Sequence, residues 1–239
     1  MLVPDRRCRT ILHPAWRILL YLVLCAILTL GAASAAAGLR LAEPFLPPLL
    51  GITAATWAMT RLVERRSLID LGLHPGRRTA ADAGLGLILP VPLLLAVFAA
   101  EWAGGWLLVA KCRAAAAGLL FLTAGRFAAV AWYEELFARG YLLGTLRGWI
   151  GFTAANLLSA LVFSGLHLAN PGANLSAAAG ILLAGLLLGY AFKITGSLYL
   201  PMAFHFAWNL ALAMLGFPVS GHRFPGFLVL VREGPAHLT

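Results

Sequence analysis

A small set of ionisable and amide side chains lies inside stretches that are otherwise apolar. Such groups are costly within a membrane, so they usually pair with one another, line a cavity, or do both. Within each group, two residues are four positions apart in the sequence, so both lie on the same face of a helix. The groups are Glu134 and Glu135 with Arg139, Phe163 with His167, and His205 with Asn209.

The two adjacent glutamates point in different directions, because consecutive residues of a helix are about 100° apart. Glu135 shares a face with Arg139, so the sequence predicts that these two side chains pair. Glu134 then faces elsewhere and keeps a carboxylate for another use. The alternative is that all three form an ion-pair network that only holds helices together.

A carboxylate and an imidazole in one site are suited to activating water. A glutamate could take a proton from the water while a neutral histidine orients it. His205 and Asn209 could donate hydrogen bonds to a developing oxyanion. Alternatively, Glu134, His167 and His205 could bind Zn²⁺, which would acidify a bound water. The sequence leaves both alternatives open, although it lacks the His-Glu-x-x-His signature of zinc proteases.

Helix rise alone does not prove that these groups meet. For untilted helices, the depths of Glu134, His167 and His205 would differ by roughly 15 Å at about 1.5 Å per residue. Tilted or broken helices could reduce this difference. Convergence of the three side chains is therefore an expectation that the structure has to test.

The composition excludes most classes of soluble protein. The 239 residues are 61% hydrophobic and 11% charged, and their mean hydropathy is +0.87. Ordinary soluble domains have about 25% charged residues. The net charge of +9 comes from basic clusters between apolar runs, which indicates membrane topology rather than nucleic-acid binding. The three cysteines have neither metal-binding nor redox spacing.

We predict an all-α fold, a polytopic membrane bundle of about seven transmembrane helices with a short interfacial helix at Ser67–Leu73. The first apolar run could alternatively be a signal peptide. The predicted spans are Ile18–Leu39, Pro44–Thr60, Ala83–Ala100 with a Trp-rich extension Glu101–Ala110, a helix that begins near Ala114, Trp149–Leu168, Leu175–Phe192 and Ser197–Leu215.

These spans divide the chain into a basic N-terminal tail (1–17), a transmembrane core (18–215) and a C-terminal tail (216–239) that ends abruptly, as if further residues follow. Most Lys and Arg residues, including Arg139, Arg147 and the basic run 61–78, fall on the side of the N-terminus. The positive-inside rule therefore predicts a cytoplasmic N-terminus. Arg126 lies inside the fourth helix and is expected to pair with a carboxylate or another helix.

The three groups together resemble the motifs of CPBP intramembrane proteases. This family contains type II CAAX prenyl endopeptidases and bacterial Abi-type proteins for bacteriocin processing or self-immunity. The matching strings are Glu134-Glu135-x-x-x-Arg139, Phe163-x-x-x-His167 and His205-x-x-x-Asn209, in that order. Ile69–Leu73 and Gly196–Leu198 are also similar, so the resemblance covers about residues 68–215.

The resemblance implies an intramembrane endopeptidase. Glu134 matches the general base, His167 the histidine that helps activate water, and His205 with Asn209 the oxyanion-stabilising pair. Glu135 and Arg139 match a supporting pair, and Phe163 matches a packing position. Members of the family are labelled metalloproteases, but a metal-free glutamate mechanism is also argued, so a divalent metal such as Zn²⁺ stays open.

The implied partners are a peptide or protein substrate, either lipidated or embedded in the membrane, and membrane lipid, with no nucleic acid. The implied location is the plasma membrane, and the Ala-, Leu-, Arg- and Gly-rich composition suggests a bacterium. Two other functions use the same residues. A non-catalytic Abi-type immunity or scaffold protein would keep them as a structural network. A proton-coupled transporter would use them as an ion path, and would have two similar halves that we do not see.

Overall fold

The structure, a computed structural model, describes residues 12–41, 43–112 and 117–232. Most of the predicted basic tail, the predicted helix start at Ala114 and the end of the chain from Gly234 lie outside these ranges. The described helices are α1 Pro14–Gly38, α2 Leu46–Ala58, α3 Thr79–Ile88, α4 Pro90–Ala103, α5 Ala117–Glu135, α6 Gly144–Ile150, α7 Phe152–Leu166, α8 Leu175–Thr195 and α9 Tyr199–Met214.

Several of these helices are suited to crossing a membrane. Four helical stretches are long and apolar enough to span it, namely 14–38, 79–103, 152–169 and 175–195. Their outer faces carry large apolar side chains. Leu30 and Ile194, for example, are 68% and 81% exposed, which fits contact with lipid rather than water. The chain is a membrane protein built mainly from helices, and the count of seven spans stays a prediction.

One long helical rod carries the glutamate pair. Helix α5 continues through a π-helical segment, Leu136–Leu143, into α6. The rod is about 51 Å long at about 1.5 Å per residue, longer than the roughly 30 Å hydrocarbon core of a bilayer. The π-helical segment begins immediately after Glu135, and every residue in it is buried. Such wide turns are frequent at functional sites, and they shift the helical register of the side chains.

The predicted helical extension Glu101–Ala110 is wrong. Helix α4 ends at Ala103, and Gly105 follows in the left-handed region, which stops the helix. The chain then forms a strand, β1 (Leu107–Cys112), which pairs antiparallel with β2 (Leu228–Arg232). The bundle therefore carries a two-stranded ribbon that the all-α prediction did not include. The predicted interfacial helix is a single 3₁₀ turn, Leu68–Leu71.

Helices α7 and α8 pack closely because α8 presents glycines at the contact. A Cβ atom on Gly185 would lie 3.0 Å from the Cβ of Ala160, so a larger residue would push the helices apart. Gly189 faces the Asn156 side chain in the same way, one helical turn further along α8. Small residues four apart commonly allow such close packing between membrane helices. This contact fixes α8 beside α7, the helix that leads to His167.

A buried ionic cluster joins α1, the segment that follows α2 and the π-helical segment Leu136–Leu143. Glu64 is fully buried and accepts hydrogen bonds from Arg17, from Arg66 at 2.5 Å and from the Tyr141 hydroxyl at 2.8 Å. The positions of these arginines between apolar runs predicted loop charges at the membrane surface. They are instead internal, because Glu64 compensates their charge and the tyrosine completes its hydrogen bonding.

After α9 the chain turns back over the bundle. Val219 and His222 exchange two backbone hydrogen bonds of 2.8 and 2.9 Å, which closes a tight hairpin turn. The two residues at its tip, Ser220 and Gly221, both have positive φ, at 48° and 83°. This is the pattern of a type I′ turn. We call residues 216–227, which include the turn, the C-terminal cap.

The C-terminal cap is held at several points. The Phe224 ring packs edge-on against Phe127 of α5, with ring centroids 4.8 Å apart. Phe217 packs in a similar way against Phe98 of α4, at 6.2 Å. Strand β2 follows the cap and ties the chain to β1. Residues 216–232 of the predicted tail therefore pack on the helices as part of the folded structure.

Candidate active site

The structure brings the predicted site residues together around Glu135. This side chain is fully buried, and its Oε1 accepts one hydrogen bond from Arg139 Nη1 at 2.8 Å and another from His205 Nδ1 at 2.9 Å. The predicted pairing of Glu135 with Arg139 is confirmed. Arg139 also donates from Nη2 to the Gly185 carbonyl at 3.1 Å. It is therefore buried inside the bundle and is not a loop charge that helps to set membrane orientation.

His167 lies where α7 ends and a short 3₁₀ turn begins. Its Nδ1 is 2.8 Å from the backbone carbonyl of Phe163. Because a carbonyl oxygen only accepts hydrogen bonds, Nδ1 carries the proton. In the neutral ring, Nε2 is then a hydrogen-bond acceptor. The spacing of four residues thus fixes both the orientation and the tautomer of this histidine.

Glu134 faces both imidazoles without contacting either one directly. Its Oε2 lies 3.8 Å from His167 Nε2 and 3.7 Å from His205 Nε2, distances too long for a hydrogen bond. This oxygen is buried and has no hydrogen-bond partner among the described residues. Both imidazole Nε2 atoms therefore face the same carboxylate oxygen across gaps in which a water could bridge the polar groups.

The Phe163 ring lies between the charged groups of the site. The Arg139 guanidinium stacks on it, 4.5 Å from the ring centroid. The His167 ring lies 4.7 Å away, and the His205 ring meets it edge-on at 6.2 Å. These contacts agree with the packing position that the resemblance implied. The aromatic ring fixes two histidines and an arginine relative to one another.

Two cavities meet at this site. A polar chamber of about 330 Å³ contains Glu134, and a larger groove of about 740 Å³ runs along the apolar face of α8. The buried Asn209 lies one turn after His205 and lines both cavities. The shared wall also includes His167, His205, Val219 and Ser220.

Sequence reasoning missed several residues of the polar chamber. Four of them, Val219, Ser220, His222 and Phe224, belong to the C-terminal cap, and Tyr133 precedes the glutamate pair. No motif marks the cap residues, because they reach the site through the fold of the tail. The position of Tyr133, directly before Glu134, was the one available signal.

Arg126 lies apart from the glutamate pair. Its guanidinium donates two hydrogen bonds to Glu43, at 2.8 and 3.0 Å, and both side chains are more than a third exposed. The pair joins α5 to the segment that precedes α2. The expectation that Arg126 pairs with a carboxylate is confirmed, and its partner lies in that connecting segment.

The residue types of the site suit Zn²⁺, which binds imidazole nitrogen and carboxylate oxygen. Across 12–41, 43–112 and 117–232, however, no group of three or more His, Cys, Asp and Glu side chains is arranged so that it could hold a metal ion. The alternative in which Glu134, His167 and His205 bind Zn²⁺ therefore does not fit this arrangement. No step described below depends on a metal.

Comparison with known proteins connects this geometry to a family. Residues 116–211 match the family model described as "Rce1-like: Type II CAAX prenyl endopeptidase Rce1-like". The resemblance to CPBP proteases is confirmed. At the level of this CAAX protease family, the match indicates a membrane endopeptidase whose substrate is a peptide or protein. No curated protein and no solved structure matches the chain.

The segment of this chain that matches the CAAX protease family model runs from just before α5 into α9. It includes all seven residues that the sequence motifs singled out. It does not include the C-terminal cap, nor Glu64 and the two arginines that pair with it. The polar chamber is thus built partly from the family-like segment and partly from the chain that follows it.

Proposed function

We propose that this protein is an intramembrane endopeptidase that hydrolyses a peptide bond with a water activated by Glu134 and His167. The observation that supports it best is the position of Glu134 Oε2, which faces the Nε2 atoms of His167 and His205 at 3.8 and 3.7 Å. A water placed among these three atoms would be held and polarised on several sides.

In the first step, the water oxygen attacks the carbonyl carbon of the scissile peptide bond. Glu134 accepts one proton of the water, and the other proton is directed at Nε2 of His167. The π electron pair of the carbonyl moves to its oxygen, which becomes an oxyanion, and the carbon becomes tetrahedral. Holding the water in place before the attack lowers the entropic part of the barrier.

Two donors are available for the oxyanion. The side-chain amide of Asn209 donates from its nitrogen, and His205 donates from Nε2 when its ring carries both protons. Glu135 holds His205 through Nδ1, so the ring is already oriented before substrate binds. The intermediate then collapses, the C–N bond breaks, and the leaving amine takes the proton from Glu134.

The groove beside the polar chamber indicates what the substrate contains. Most of its lining is apolar, with side chains of α8 such as Ile181, Leu183 and Leu187. Its volume of about 740 Å³ exceeds the size of a single side chain, so we propose that it binds an apolar segment of the substrate. Both a membrane-embedded peptide and a lipidated one have this character.

We place the protein in a bacterial plasma membrane with its N-terminus in the cytoplasm, following the distribution of Lys and Arg. The His13 ring contacts Trp149 at 4.9 Å, so α1 begins at the end of the bundle where α6 ends. Helix α7 starts at this same end and leads away to His167. The loop 167–174 and the C-terminal cap then lie toward the opposite, non-cytoplasmic end.

The test is cleavage of a mixed peptide library by detergent-purified protein, with products identified by mass spectrometry. The wild type is compared with His167→Gln and with the matched control His74→Gln, which changes an exposed histidine next to Asp70, outside both cavities. We expect cleavage by the wild type and the control, and strongly reduced cleavage by His167→Gln.

Full cleavage by a folded His167→Gln variant would refute the assigned role. If neither the wild type nor the variants cleave the library, the same proteins are assayed in lipid vesicles with peptides that contain a transmembrane segment or a lipidated cysteine. Absence of cleavage there too would favour the non-catalytic immunity or scaffold alternative.

A further inference from the structure

We propose that Ser220, at the tip of the C-terminal cap, is a specificity-determining residue of the site. The inference rests on the proposed function, because it concerns which peptide reaches Glu134. Ser220 lines both the apolar groove and the polar chamber. A peptide whose apolar segment lies in the groove and whose scissile bond lies in the chamber would therefore pass this residue.

The turn that carries Ser220 forms part of the wall of both cavities and is held in place by backbone contacts. Two backbone hydrogen bonds between Val219 and His222 close it. Gly221 lies so near the carbonyl of Pro171 that a Cβ atom at this position would clash with it. The turn is thus seated against the loop that follows His167. Because this loop and the turn are in direct contact, their side chains determine how wide the passage from the groove to the chamber is.

The backbone conformation restricts which residues can stand at the tip. Ser220 has φ 48°, in the left-handed region that most residues avoid. Glycine and asparagine adopt this region most readily, whereas β-branched residues do so rarely. Serine is small, so it keeps the conformation with little side-chain volume in the passage. Position 220 can therefore be made smaller or larger without changing the turn.

This geometry predicts a dependence on side-chain size in the substrate. The residue beside the scissile bond must fit between the cap and the histidines, so its volume is limited at the point where Ser220 lies. Replacing Ser220 by Gly widens this point, and replacing it by Asn narrows it. One methylene group in a hydrophobic pocket changes the ratio of kcat/KM between two substrates by about 10- to 200-fold, so an effect of this kind is measurable.

The C-terminal cap lies outside the family match, which ends at residue 211. The reacting groups lie inside the matched segment, whereas Ser220 lies outside it. The two parts of the site can therefore be separated by mutation. Changes at position 220 should alter which peptides are cleaved and leave the chemical step in place.

The experiment begins with the peptide that the wild type cleaves in the library. Paired versions of it carry Ala or Phe at each residue flanking the scissile bond, and kcat/KM is measured for each. The proteins are wild type, Ser220→Gly, Ser220→Asn and the control Arg223→Asn, which adds the same side chain to an exposed position outside both cavities. Size-exclusion chromatography and thermal denaturation in detergent verify that each variant is folded.

We expect the Ala-to-Phe ratio to rise about tenfold or more in Ser220→Asn, to fall in Ser220→Gly and to stay unchanged in Arg223→Asn. An unchanged ratio in both variants, or an equal change for both peptides, would overturn the inference while the proposed function stands. Absence of any wild-type cleavage, in the library and in vesicles, would instead refute the proposed function, and this inference with it. Ser220→Gly keeps the test decisive if Ser220→Asn does not fold.

Discussion

The adjacent glutamates allow one substitution to be compared at two neighbouring positions. Glu134→Gln and Glu135→Gln each replace a carboxylate by an amide of nearly the same shape on the same helix. The contacts of the two residues differ, however. Glu135 is fully buried and holds Arg139 and His205, whereas Glu134 Oε2 has no hydrogen-bond partner within the part of the chain that the structure describes. The same change should therefore affect stability in one case and turnover in the other.

The magnitude for Glu135→Gln follows from the partner that remains. Arg139 is 1% exposed, and its charge would lose the carboxylate that compensates it. Removing one member of a buried ion pair costs about 3–5 kcal/mol. The amide still accepts hydrogen bonds, so the lost charge accounts for most of this cost. We expect a loss of that size in the free energy of unfolding.

The magnitude for Glu134→Gln follows from its proposed role as the base. Its Oε2 makes no direct hydrogen bond in the described structure, so the free energy of unfolding should change little. An amide does not accept a proton from water, and general-base catalysis contributes about 10²- to 10⁴-fold. We therefore expect kcat to fall by about 10²- to 10⁴-fold, while the variant stays folded like the wild type.

The assay combines denaturant unfolding in detergent with peptide cleavage, on the same preparations of wild type and both variants. The reasoning predicts a large stability loss for Glu135→Gln only, and loss of cleavage without loss of stability for Glu134→Gln. If both variants lose stability equally, the two glutamates form one structural network. If Glu134→Gln cleaves at the wild-type rate, the base lies elsewhere.

Three further predictions concern other parts of the molecule. Tyr141→Phe removes the hydroxyl that donates to buried Glu64, so the free energy of unfolding should fall by about 1.5–3 kcal/mol in the same denaturant titration; no loss would mean that the arginines alone satisfy Glu64. Arg126→Gln breaks a partly exposed pair with Glu43 and should cost at most about 1 kcal/mol, whereas a cost of several kcal/mol would contradict the surface character of this pair. Treatment with a chelator should leave peptide cleavage unchanged, because in the proposed mechanism Glu134 and His167 activate the water without a metal; loss of cleavage that Zn²⁺ restores would overturn this mechanism.

The helical spacing predicted the local contacts of the site well. Residues four apart on a helix face the same way whatever the rest of the fold does, so the pairing of Glu135 with Arg139 could be derived from the sequence. The same reasoning placed His167 next to Phe163, whose carbonyl it contacts. Apart from the extension at Glu101–Ala110, the apolar runs predicted the described helix ends to within a few residues, because membrane helices require continuous hydrophobicity.

Contacts between distant segments could not be derived in this way. Glu64 and the arginines around it were interpreted as surface charges, because local sequence does not show that Tyr141 reaches them from another helix. The ribbon was missed because β1 pairs with a strand more than a hundred residues later. Ser220 was placed in a tail, since a turn without a motif gives no sign of what it packs against.

The ribbon also has a consequence for when the site can form during synthesis. Strand β1 precedes α5, whereas its partner β2 follows α9, the last described helix. The ribbon can therefore form only after the segments that carry Glu134, His167 and His205 have been synthesised. The C-terminal cap lies between α9 and β2, so it is made after all three of these residues. The wall of the chamber is thus made later than the residues that we propose to react, and the strand that follows it pairs across five helices, α5 to α9, with a strand made before them.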